Sequence, residues 1–147
     1  MDREANRRIL DRAAAEALKF RNGIAERSHR PVKKYAEMVE TFAGPLPEHP
    51  ADGEDVIKEL AAKADMGLMM PTGPRFFGWV IGGSHVVGVA ADWLTSAWGQ
   101  NVGNHQASPA ASAAEAVAAG WLLELLDLPR ESSVGFVTGA TVANFVC

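Results

Sequence analysis

Two proline-rich breaks limit what this chain can fold into more than any other feature. Gly44-Pro45-Leu46-Pro47-Glu48-His49-Pro50 places three prolines in seven residues, and Pro71-Thr72-Gly73-Pro74 adds two more. Proline lacks a backbone donor and has a fixed φ, so neither stretch can sit inside a helix or a central strand. The first reads as an extended connector and the second as a rigid loop. Regular structure must fit between and beyond them.

Those intervals read as helix. Residues 2 to about 27 carry Ile9/Leu10, Ala13/Ala14, Ala17/Leu18 and Ile24 at three- and four-residue spacing among Arg, Asp, Glu and Lys. The stripe is thin and Ala-rich, so this helix needs a partner surface, and Pro31 is expected to break it. A short helix is expected over 34–42. Asp52 supplies a cap, with Glu54 and Asp55 in the first turn, for a helix through about Ala64. Its core face is Val56, Leu60 and Ala64, flanked by Ile57 and Ala61, and Gly67 and Pro71 end it.

Residues 76–80 read as briefly extended, and Gly82-Gly83-Ser84 leads into a helix from Ser84 to Trp98. There Val86, Ala90, Trp93/Leu94 and Ala97 share a face and Gly99 is the stop. Residues 100–107 form a polar loop. Ser108 then caps a helix with Pro109 at its first position, extending to Asp127 or Leu128 before Pro129. Val117, Trp121, Leu122, Leu125 and Leu126 are expected to face inward. The first convincing strand is 134–137; the small-residue turn Thr138-Gly139-Ala140-Thr141 and a new helix start follow. The segment is mainly α.

Length and composition bound the function. A chain of 147 residues fits one domain, which buries roughly 70% of its unfolded surface. With 48% hydrophobic and 22% charged residues and a formal net charge of −4, it lacks the electrostatic footprint of a nucleic-acid binder. The single Cys147 excludes an intrachain disulfide and fits a reducing cytoplasm. Arg3, Arg7, Arg8 and Arg12 interleave with Asp2, Glu4 and Asp11, and no apolar stretch follows, so neither a signal nor a transit peptide is expected. The nearest thing to a membrane span, 76–98, contains His85 and Asp92. An Asp at depth costs about 2.5 kcal/mol or more, so a buried core helix is the better reading.

Few constellations carry chemistry by themselves. His29, His49, His85 and His105 fall at no metal-ligand spacing, so no metal site is expected. Ser84-His85 is a neighbour pair, not a nucleophile with its base. Dinucleotide and P-loop patterns are both absent from the sequence. Trp93 and Trp121 read as core aromatics, whereas Trp79, in a Gly-rich approach, can face a pocket. The turn at 138–141 is either a plain strand-to-helix connection or a cradle whose backbone N–H groups receive an anion.

Four segments in order resemble one family. Pro74-Arg75-Phe76-Phe77-Gly78-Trp79-Val80-Ile81-Gly82-Gly83 looks like the PRFFG-type segment of the group II pyridoxal-phosphate decarboxylases, which include the aromatic-L-amino-acid and glutamate decarboxylases. Ala107-Ser108-Pro109-Ala110, with Glu115 and Trp121-Leu122, resembles that family's ASPA…E…WL helix. Pro45-Leu46-Pro47-Glu48 is similar to its PLPE connector, and Thr138-Gly139-Ala140-Thr141-Val142-Ala143-Asn144 to its phosphate turn. The resemblance implies an aspartate-aminotransferase-type (fold type I) enzyme working as a cytoplasmic homodimer in amino-acid metabolism. Residues 1–70 would be a helical dimerisation arm and connector, and 71–147 the beginning of the large α/β domain that binds pyridoxal 5'-phosphate.

The same resemblance assigns Gly139, Ala140 and Thr141 to the cofactor phosphate, and Trp79 and Val80 to the substrate side-chain pocket. His105, in the loop 103–106, would reach a pocket of its own or of the partner subunit. Three departures bear on substrate preference: Gly73 replaces the usual His, Ala140 a frequent second Gly, and Val86 a frequent Pro. The family's Schiff-base Lys and the acid at the pyridine nitrogen lie beyond the phosphate turn. Lys19, Lys33, Lys34, Lys58 and Lys63 all precede residue 74 and none matches, so no catalytic residue is assigned within the segment. The expectation is the front third of a decarboxylase that converts an L-amino acid to an amine and CO2, inactive alone. The alternatives are a non-catalytic dimerisation module of this ancestry, or a relative with transaminase or deaminase chemistry.

Overall fold

The computed structural model describes residues 2–100 and 103–147. Among them the regular elements are α1 (Arg3–Asn22), α2 (Tyr35–Phe42), α3 (Gly53–Ala64), α4 (Val86–Trp98), α5 (Pro109–Leu125) and α6 (Ala140–Val146), with a 3-10 turn at Asp65–Gly67. No strand forms among the described residues. The chain divides into two compact units, Met1–His85 and Val86–Cys147.

The first unit is built on α1 packed against α3. Both helices start on an aspartate cap: the Asp2 carboxylate accepts from the Glu4 N–H at 3.0 Å, and that of Asp52 from the Glu54 N–H at 2.9 Å. The acids at the start of α3 meet the basic side of α1. Arg8 lies 3.4 Å from Asp52 and 3.6 Å from Glu54, and Arg12 lies 3.0 Å from Glu54. These pairs are part-exposed, so they orient the helices more than they stabilise them. Gly53 allows the close seat, since a Cβ there would meet Ile9 Cδ1 at 2.5 Å.

α1 stops at Asn22, short of the expected residue 27. The Gly23 N–H closes it onto the Lys19 carbonyl at 3.2 Å, so the glycine ends the helix before Pro31 is reached. The N–H groups of Val32 and Lys33 both donate to the Met66 carbonyl at 2.9 Å, tying the segment before α2 to the 3-10 turn. The proline-rich connector after α2 is irregular, as its composition requires. Met70 is the buried centre of the unit, and a Cβ on Gly73 would stand 3.2 Å from its carbonyl oxygen.

In the second unit α4 begins at Val86, two residues after the expected start. Ser84 is occupied otherwise: its hydroxyl and carbonyl oxygens each accept from Arg21 at 2.8 Å. Gly99 stops the helix in the left-handed region at φ 57°. The polar loop expected over 100–107 includes Asn101 and Val102, which lie outside the described residues; from 103 onward it is a turn. The Asn104 side chain closes that turn, accepting from the Gln106 and Ala107 N–H groups at 3.0 and 2.8 Å. Ser108 precedes α5, but its hydroxyl donates to Gln100 Oε1 at 3.3 Å and makes no side-chain cap.

α5 ends in a Schellman motif. Leu128 N–H donates to the Leu123 carbonyl at 2.9 Å and Asp127 N–H to that of Glu124 at 3.2 Å, with Asp127 left-handed at φ 52°. The face expected to point inward does not. Trp121 and Leu125 are 70% and 79% exposed, Val117, Leu122 and Leu126 are also exposed, and Leu123 is the buried residue of the helix. α5 is apolar around most of its circumference, and no sheet among the described residues covers it. The strand expected at 134–137 is irregular for the same reason, because its N–H and C=O groups find no partner strand.

Candidate functional site

The turn before α6 is built from the small residues Thr138, Gly139, Ala140 and Thr141 and leads directly into a helix start. Gly139 is the N-cap residue, in extended conformation, and its carbonyl accepts from the Ala143 N–H at 3.1 Å. The N–H groups of Ala140, Thr141 and Val142 occupy the first helical turn, where helix geometry gives them no internal acceptor. A Cβ on Gly139 would meet nothing within 4 Å. The Thr141 hydroxyl lies on the same first turn, and Gly139, Ala140 and Thr141 are all exposed. Residues 132–147 contain no Asp, Glu, Lys or Arg. This neutral set of donors, with no carboxylate to repel an anion, suits a phosphate dianion.

The other residues are placed differently. Trp79 and Val80 lie in the first unit, where the expected extended stretch is instead irregular and then turns. Both are left-handed, at φ 64° and 53°. For a β-branched valine this is a marked departure from its preferred backbone. Trp79 is 78% exposed and lines a groove of about 930 Å³ with Tyr35, Met38 and Phe42 of α2, Leu68 and Met69, edged by Arg30, Lys33 and Lys34. It also borders a smaller cleft of about 220 Å³ with His29, Arg75 and Phe76. Val80 is fully exposed and lines neither. His105 is exposed in the turn that Asn104 closes, in the second unit.

The groove-lining face of α2 escaped the reading of the sequence, although Tyr35, Met38 and Phe42 recur at helical spacing. Arg75 and Arg21 were missed as well. Their partners are backbone carbonyls and a serine far along the chain, which no local pattern signals.

The model of the pyridoxal-dependent decarboxylase conserved domain matches residues 36–147. The chain belongs to this family. Its members use pyridoxal phosphate, and the match runs through both the Trp79 loop and the turn before α6. Tyrosine decarboxylase 2 of Narcissus pseudonarcissus is 29% identical over 85 residues. That stretch covers 58% of this chain and 17% of the plant protein, so the chain spans a small part of the curated relative it matches. No solved structure matches it. No helix among the described residues is long and apolar enough to cross a membrane.

Proposed function

We propose that this chain is the N-terminal part of a pyridoxal-phosphate-dependent amino-acid decarboxylase that contributes the phosphate cradle and one wall of the substrate pocket. The observation that carries the reading is the family match across a helix start whose free donors are all neutral. When bound, pyridoxal phosphate supplies the electron sink for loss of CO2 from an L-amino acid. In this reading the N–H groups of Ala140 and Thr141 and the Thr141 hydroxyl hold the phosphate, while Gly139 keeps the approach open. Trp79 and Val80 line the substrate side-chain pocket, and His105 reaches a pocket of its own subunit or of the partner subunit. Residues 1–70 form the dimerisation arm and 71–147 begin the large domain of a fold type I enzyme, a homodimer in the cytoplasm.

The five lysines lie between residues 19 and 63, in the first unit, and the second unit has none. The unit that holds the cradle thus offers no lysine of its own to bond the cofactor covalently, and in this reading the 147-residue polypeptide alone is inactive. The test of the cradle uses the full-length protein stripped of cofactor. Thr141→Val removes one hydrogen bond to a charged group at constant volume, a loss of about 1.5–3 kcal/mol, or roughly 10- to 150-fold in cofactor affinity. Titration of pyridoxal phosphate into both proteins measures it. Unchanged affinity in the variant removes Thr141 from the cradle.

A further inference from the structure

The loop that carries Trp79 is fastened to the arm at both ends by arginines. Arg75 Nη2 donates to the Ala25 carbonyl at 3.0 Å and to the Arg27 carbonyl at 2.7 Å, bridging some fifty residues of sequence to the turn after α1. At the far end Arg21, in the last turn of α1, donates from Nη1 and Nη2 to the Ser84 hydroxyl and carbonyl, each at 2.8 Å. The turn that receives Arg75 is itself anchored. The Arg27 guanidinium pairs with Asp65 and lies 5.3 Å from the centre of the Phe20 ring. Just before Arg75 the chain is stiff, since Gly73 N–H donates to the Met70 carbonyl at 3.0 Å and Met70 is buried.

Between the fastenings the loop has little of its own to hold it. A Cβ on Gly82 or Gly83 would meet nothing within 4 Å, and Phe77, Trp79 and Val80 are exposed. Trp79 and Val80 nonetheless sit consecutively in the left-handed region, a conformation that persists only where the surroundings impose it. The two arginines bond the chain on either side of this stretch.

We propose that Arg75 is a positioning residue for the substrate pocket: by bonding the Ala25 and Arg27 carbonyls it fixes the loop 76–83, and with it the Trp79 side chain, on the helical arm. The inference rests on the reading that Trp79 lines that pocket. Arg75 touches neither substrate nor cofactor in this account; it acts through Trp79. A neutral side chain loses both charge-assisted bonds, whereas lysine keeps the charge and can still serve one carbonyl.

The test compares Arg75→Gln, Arg75→Lys and Trp79→Ala in the full-length enzyme loaded with pyridoxal phosphate. In Arg75→Gln, amide hydrogen exchange over 76–83 rises about five- to tenfold while α1 and α3 keep their protection. KM rises by about the same factor, kcat stays within about twofold, and cofactor affinity is unchanged. Arg75→Lys falls between Gln and wild type. Unchanged exchange over 76–83 overturns the proposal, as does faster exchange spread equally over α1 and α3, which marks a role in folding alone. Trp79→Ala separates the remaining failures. If it alters substrate ranking while Arg75→Gln leaves KM unmoved, the pocket stands and the positioning role is wrong. If Trp79→Ala leaves the ranking unchanged, the pocket reading fails and takes the positioning role with it.

Discussion

Trp79 and Thr141 show what single residues reveal before and after folding. The small-residue turn at Thr141 is legible because its chemistry is local: a helix start and the glycine before it lie within four positions. Trp79 is legible only as an exception, an aromatic among glycines, and its groove partners Tyr35 and Phe42 come from about forty residues upstream. Val80 shows the limit: sequence places it beside Trp79, yet it lines neither cleft that Trp79 borders. If Trp79 forms a pocket wall, Trp79→Ala removes that wall without disturbing the cradle. We expect the preference among aromatic, acidic and basic amino acids to shift by at least tenfold in kcat/KM, about 1.4 kcal/mol, with cofactor affinity unchanged. Loss of thermal stability together with every activity would instead make Trp79 a packing residue.

Helix existence was readable element by element, and helix ends and faces less so. Asp52 capping α3 and Gly99 closing α4 follow from local chemistry and occur as expected. α1 ends before Pro31 can break it, because Asn22-Gly23 closes the helix first. The face of α5 differs from the expected one for another reason. Periodicity identifies an apolar face but not the surface that will cover it, and α5 is apolar on more than one side. Its end offers a local test. Asp127 holds the left-handed Schellman position that glycine usually fills, at a cost of about 1–2 kcal/mol to a residue with a Cβ. Asp127→Gly regains part of this, about 0.5–1 kcal/mol after the glycine's extra chain entropy. The Leu126 and Leu128 amides should then exchange about two- to fivefold more slowly in the full-length protein. Faster exchange would mean that the aspartate side chain stabilises the turn.

At the scale of the whole molecule, each of the two units exposes large apolar side chains. Leu46 and Phe77 are among them in the first unit, and Trp121, Leu125 and Phe145 in the second. Apolar surface on this scale is covered in a working protein by further structure or by a partner. The proposed setting supplies both, in a large α/β domain and a second copy. It also explains why the expected strand at 134–137 is unformed: a sheet needs its neighbours. The measurement that bears most directly on the account is CO2 release by the full-length protein across a panel of L-amino acids, with and without pyridoxal phosphate. The account predicts cofactor-dependent release of CO2 with one amine formed per CO2. Bound cofactor with no CO2 released from any member of the panel, or an aldehyde or keto acid in place of the amine, would contradict it.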